Sequence, residues 1–255
     1  IIDYINEGQI ETFESFDTFD LIAFDWYDLK NAERAHAQIL IYLDADDIFY
    51  ICENEMSYGV CKKLFARGET NEQAMYLFFR NLFKGSGKYL EKIENRISAL
   101  DDSVSNGIKG GQKEDISAIR YEVLHIKKYF SQLEFLFDNI CDNDNGLISQ
   151  SCLKYFEILH NRSLRVISEL TALREYITQV KESYLDQIGI EQNDLMTVFT
   201  MVTTIFLPLT LIAGWYGMNI KMPEFGWKFG YPFVIILSLV VCALWLILFK
   251  KKKWL

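Results

Sequence analysis

The chain has 255 residues and a formal net charge of −9, with 35 acidic residues against 26 basic ones. That balance argues against nucleic acid as a partner and is compatible with cations. A hydropathy near zero suggests an ordinary soluble protein, but it averages two solvents: no Asp, Glu, Lys, Arg or His occurs from Leu195 to Ile220, and a second uncharged run extends from Phe229 to Phe249.

Both runs exceed the roughly 18–20 residues that cross the ~30 Å hydrocarbon core as helix. The part before Leu195 is long enough for one domain with its own core. It also carries almost all the negative charge, because the tail holds only Glu224 against Lys221, Lys228 and Lys250 to Lys253. The five cysteines form no CxxC and are odd in number, which suggests a reducing compartment. His36, His125 and His160 show no metal-ligand spacing. No basic-plus-apolar signal segment opens the chain, and its start at Ile1 suggests a fragment.

In chain order, the first sixty residues read as strands with one or two helices in a small α/β module. Asp20 to Tyr27 is apolar and aromatic, and Ile39 to Leu43 is joined to Ile48 to Cys52 by the acidic turn Asp44-Ala45-Asp46-Asp47, a hairpin signal. Leu29 to Gln38 is more polar and has no clear assignment. From Thr70 the period becomes helical. Thr70-x-x-Gln73 is a capping box opening a helix to about Phe83, with Gly85-Ser86-Gly87 as the break. Apolar residues at 3–4 spacing from Ile93 to Val104 and from Ile116 to Ile140, interrupted by Gly107 and Gly110-Gly111, predict two antiparallel helices.

Asp142 to Gly146 resembles the start of a calcium loop but fails it. Counted from Asp142, glycine falls at position five instead of six and Leu153 stands where a bidentate Glu is needed. An Asn/Gly-rich helix-ending turn is the better reading. Beyond it, Leu153, Phe156, Val166, Leu170, Leu173, Ile177, Val180, Tyr184 and Ile188 form a seam near the coiled-coil period, which continues without a loop signal into the first uncharged run. One helix from about Ser151 to Trp215 is expected, on the order of 100 Å long. Neighbouring copies are needed to support it.

Within the first span, Met196, Phe199, Thr203, Leu207, Thr210, Gly214 and Gly217 fall on one stripe. Such a stripe is open between a helix–helix contact and a pore lining. Two spans cannot enclose a pore, so a pore requires a ring of subunits. The cluster Lys250 to Lys253, followed by Trp254, predicts cytoplasmic N- and C-termini and an outward-facing loop.

The motif Tyr216-Gly217-Met218-Asn219, the loop Met222-Pro223-Glu224-Phe225, the core Phe206-Leu207-Pro208-Leu209-Thr210 and the terminal Lys-Lys-Lys-Lys-Trp-Leu resemble the CorA family of magnesium channels and transporters. The resemblance is detailed from Asn193 to Leu255 and looser upstream. It implies a homopentamer in the cell membrane, with the first span lining the pore, the second facing lipid, and Mg2+ as cargo, Co2+ and Ni2+ being further candidates. The implied fold is an α+β cytoplasmic domain, small and N-terminally truncated. It is followed by a stalk helix continuous with the first of two transmembrane helices, assembled as a homo-oligomeric funnel.

The expected division is a partial α/β domain at 1–69, cytoplasmic helices packing on the stalk at 70–146, the stalk at 147–194 and the pore span at 195–219. An outer loop at 220–228, a second span at 229–249 and a basic tail at 250–255 complete it. Gly217, Met218 and Asn219 form the selectivity motif. Mg2+ dehydrates reluctantly, so a ring of Asn219 amide oxygens suits an ion that keeps its waters, whereas carboxylates would hold it too long. Gly217 permits the tight turn and Met218 packs it. Glu224 is read either as concentrating cations or as a solvated loop charge. The resemblance places hydrophobic gates at Met196 and Leu207, and Phe199 is bulkier than expected at its position.

The resemblance also implies closure by intracellular Mg2+ bound between subunits, for which Asp3 and Glu157 are the candidate ligands. Ile158 and Asn161 replace the acids expected near Glu157, so Asp3 and Glu157 as ordinary surface acids stays open. No enzymatic activity is expected. A ZntB-like zinc transporter and a non-transporting membrane-anchored coiled-coil scaffold or sensor are the competing functions.

Overall fold

The computed structural model describes residues 13–27, 29, 37–218 and 226–251. The chain divides into two compact units, Ile1–Ser183 and Tyr184–Leu255.

The first unit opens with four strands, β1 (Phe13–Ser15), β2 (Phe19–Trp26), β3 (Ala37–Asp44) and β4 (Ile48–Cys52), paired antiparallel in sequence order. Leu21 to Phe24 of β2 are buried consecutively instead of alternately, so both faces of the sheet centre are covered. The edge strand β4 alternates, with Phe49 and Ile51 exposed. The acidic hairpin turn forms as expected. Asp44 Oδ1 accepts the backbone N–H groups of Asp46 at 2.9 Å and Asp47 at 2.6 Å, while the Tyr42 hydroxyl donates to Oδ2 at 2.9 Å. Those donors hold the Asp44 carboxyl below the usual carboxylate range.

A helix the periodicity did not reveal, α1 (Glu55–Phe65), follows directly. Its signal lay in its ends: Asn54 accepts the Ser57 N–H at 2.9 Å, Glu55 occupies the first turn and Lys62 and Lys63 the last. In α2 (Asn71–Leu82), Thr70 caps Gln73 N as predicted, but the Gln73 side chain returns to Glu69 N at 2.8 Å, one residue before the cap. The break before α3 (Ser86–Ser105) lies earlier than expected, at Phe83 to Gly85. Gly85 adopts φ +96°, and Ser86 and Gly87 already lie in the helix.

Helix α4 (Gln112–Asp142) pairs with α3 as an antiparallel hairpin. Gln112 Nε2 donates to Ser103 Oγ beside the turn, and Tyr89 and Arg96 both donate to Glu122 farther along. The core between sheet and helices is aromatic, and Phe78, Phe79, Phe83, Phe130, Phe137 and Phe156 are fully buried. Phe79 and Phe137 meet edge to face at 5.3 Å.

The Asn/Gly segment is a turn. Asn143 adopts φ +47° at the end of α4, and its side chain both donates to Ile148 O and accepts from Ile148 N. Helix α5 then runs without interruption from Gln150 to Tyr216, 67 residues or about 100 Å. Its buried seam adds Leu159 and Ser163 to the predicted positions, while Tyr184 and Ile188 are only half-buried. Ser163 escaped an apolar pattern because its hydroxyl is satisfied locally, by Leu159 O at 3.1 Å and His160 O at 2.8 Å. Helix α6 (Gly230–Lys251) closes the described chain.

Candidate functional site

Helices α5 and α6 are long and apolar enough to cross a membrane. Just before α6, Trp227 lies 5.9 Å from Phe233 in its first turn, and Trp245 lies 5.8 Å from Phe249 near its other end, with Lys250 and Lys251 beyond. Aromatic rings at both ends of an apolar helix match the two interfaces of a bilayer. Among the described residues, none in the most apolar window of α5 is buried. An apolar surface of this size needs lipid or other protein as its solvent.

On α5 the structure places Met196, Phe199, Thr203, Leu207, Thr210 and Gly214 along one exposed strip, within an arc of about 80° at 100° per residue, and exposed Gly217 follows just past the helix end. Met196 and Phe199 are each 65% exposed and Leu207 is 75% exposed. The hydroxyls are oriented by back-bonding. Thr203 Oγ1 donates to Phe199 O at 2.8 Å and Thr210 Oγ1 donates to Phe206 O at 2.8 Å. With their protons committed to the helix, both oxygens keep lone pairs that accept from water. The strip therefore alternates apolar bulk with acceptor oxygens along the helix axis. Pro208 lies within this helix and removes the N–H that the Thr204 carbonyl would otherwise receive.

The strip ends at Gly217, where the helix closes through Gly217 N to Ala213 O at 2.8 Å and Met218 N to Trp215 O at 3.3 Å. A Cβ on Gly217 would sit 2.8 Å from Ala213 O, so the requirement for glycine is one of space against the preceding turn. Sequence reasoning foresaw glycine here but assigned it to turn flexibility. Asn219, Glu224 and Asp3 lie outside the described residues.

Glu157 stands exposed on α5, and its backbone carbonyl accepts from Asn161 Nδ2 at 2.9 Å. Among the described residues, no three His, Cys, Asp or Glu side chains are grouped to hold a metal ion. The sequence showed His160 without metal-ligand spacing but not the two acids beside it. His160 Nε2 lies 3.2 Å from Glu134 Oε1 and its Nδ1 lies 3.8 Å from Asp138 Oδ1, a cluster built across α4 and α5 from residues far apart in sequence. The α5 surface of the first unit also exposes Ile158 and Leu164, apolar residues outside the buried seam.

The family model described as CorA-like Mg2+ transporter protein matches residues 2–251. The chain is 26% identical over 271 residues to the cobalt/magnesium transport protein CorA of Thermotoga maritima, spanning all of this chain and 75% of that protein. Over 98 residues it is 40% identical to the magnesium transport protein CorA of Wolinella succinogenes, covering 35% of this chain and 30% of the other. In three dimensions it resembles the complete CorA magnesium transporter of Methanocaldococcus jannaschii, with TM-score 0.80 and 20% identity over 97% of this chain and 81% of that one. A weaker likeness, TM-score 0.58 at 10% identity over 74% of this chain and 83% of the other, links it to the ZntB cytoplasmic domain of Vibrio parahaemolyticus.

Proposed function

The chain belongs to the CorA-like Mg2+ transporter family, and from that premise we propose that it forms a passive channel for Mg2+, and for Co2+, driven by membrane potential. The observation that carries this reading is the exposed strip from Met196 to Gly217, which leads directly to Asn219 in sequence. The described residues of a single chain leave that strip uncovered, and two spans cannot surround an ion. A homopentamer with one strip from each copy facing the axis supplies the enclosure, and exposed Ile158 and Leu164 on the stalk support association.

In that ring, Asn219 contributes five amide oxygens at the outer mouth. They accept hydrogen bonds from the waters of a hydrated Mg2+, and no ligand exchange is needed. Thr210 and Thr203 offer further acceptors deeper in. Met196 and Leu207 form apolar rings that close the path by dewetting, and Phe199 narrows the bore between Met196 and Thr203. Glu224 in the outer loop concentrates cations. The termini are cytoplasmic on the evidence of the Lys250 to Lys253 cluster. Inside, Asp3 and Glu157 are the candidate carboxylates of a regulatory Mg2+ shared between copies, a role no single chain can complete. Inward movement of a divalent ion through 100 mV releases about 4.6 kcal/mol, so no ATP site is required.

The test is uptake into liposomes carrying the full-length protein and an internal indicator, with an imposed inside-negative potential and Mg2+, Co2+ or Zn2+ outside. Mg2+ and Co2+ uptake that stops when the potential is collapsed is the expected result. Zinc flux without magnesium flux selects the zinc-transporting alternative, and no flux from a folded oligomer selects a scaffold.

A further inference from the structure

Cys52 ends β4 and Cys61 lies on α1, and their sulfurs stand 3.5 Å apart. Cys52 is half-buried and Cys61 is wholly enclosed. The local fold sets this distance. Cys52 is held in register opposite Ile39, the chain turns at Asn54, and Asn54 fixes the start of α1 through Ser57 N. Cys61 then falls on the buried face of α1 with Ser57, Leu64 and Phe65. Two thiols in contact, one reached by solvent and one behind it, are the arrangement that thiol–disulfide exchange requires.

We propose that Cys52 and Cys61 form a reversible disulfide that ties the edge strand β4 to α1, with a low-molecular-weight disulfide as the oxidant. The half-buried Cys52 loses its proton to water and attacks one sulfur of the oxidant, forming a mixed disulfide and expelling one thiolate. Cys61 then gives up its proton to that leaving thiolate and attacks the Cys52 sulfur, which breaks the mixed bond and expels the second thiolate, and this takes up from water the proton that Cys52 released. The protein loses two electrons and two protons, and the oxidant becomes two thiols. The sulfurs have to close from 3.5 Å to a bond of about 2.05 Å. Burial, reinforced by the neighbouring Cys52, raises the Cys61 thiol far above its ordinary range, which reserves initiation for Cys52.

The test uses the full chain in detergent micelles, incubated with glutathione disulfide, alkylated, digested and mapped by mass. The expected product is a peptide pair joined through Cys52 and Cys61, lighter by two hydrogens and released by dithiothreitol. Cys61→Ser should stall with glutathione on Cys52, and Cys52→Ser should leave Cys61 unmodified. Because Cys61→Ser changes a buried position, hydrogen exchange on the unmutated chain provides an independent readout. Closing a loop of about ten residues slows exchange through joint opening of β4 and α1 by up to about 100-fold. Glutathione remaining on Cys52 of the unmutated chain, cross-links through Cys141 or Cys152 instead, or unchanged exchange after cross-linking would each overturn the proposal.

Discussion

Asp20 and Gly217 show how single positions are constrained in ways composition does not reveal. Asp20 is buried at the start of β2, where Asn145 Nδ2 donates to its Oδ1 at 2.7 Å and also to Phe16 O at 3.0 Å, tying the β1–β2 turn to the turn before α5. Desolvation outweighs these donors and raises its pKa above 3.8. A raised carboxyl favours the folded state most below its unfolded pKa, and that contribution is lost as pH rises through the folded value. Asp20→Asn keeps an acceptor for Asn145 and removes the charge. It should be more stable than the parent at pH 7, with the difference closing toward pH 3.8, as read by denaturation midpoints across pH. At Gly217, a methyl group would meet Ala213 O at 2.8 Å. Gly217→Ala should cost about 1–2 kcal/mol of local strain and reduce Mg2+ uptake severalfold while oligomer size is unchanged. Full activity in that variant would remove the steric role assigned to the glycine.

Among the elements, α5 carries the most consequence, because one helix is both the stalk and the proposed pore wall. Its first half is held by burial, and Phe156 is fully enclosed. Phe156→Ala should destabilise the chain by about 3–5 kcal/mol, whereas Lys154→Ala, on the exposed face, should stay within about 0.5 kcal/mol. Urea midpoints of the two variants in micelles, followed by helical ellipticity, check this pair. The extent of α5 was legible in the sequence because no proline or loop signal separates its seam from the uncharged run. Pro208 did not end it, since a membrane helix tolerates proline. The acidic hairpin and the Thr70 cap were equally legible, because each depends on neighbours within a few residues. Helix α1 was not. It has only eleven residues, and of the four it buries, Ser57, Cys61, Leu64 and Phe65, only two are large apolar side chains, too few to show a period. The site was legible as a stripe of residue types. The back-bonding of Thr203 and Thr210 that leaves their oxygens as acceptors could be seen only from the geometry, as could the contact of His160 with Glu134.

For the whole molecule, family membership and an α5 span that the other described residues leave uncovered support the proposal that copies assemble around an axis. In the channel we propose, an ion meets Asn219 first, acceptor oxygens next, and the apolar rings of Leu207 and Met196 before the cytoplasm. The measurement that bears most directly on this account is potential-driven Mg2+ uptake by the full-length protein in liposomes, compared with Asn219→Ala and paired with oligomer mass in detergent. The account predicts a pentamer in both cases, with uptake abolished in the variant. Undiminished uptake by an Asn219→Ala pentamer, or active transport by a monomer, would contradict it.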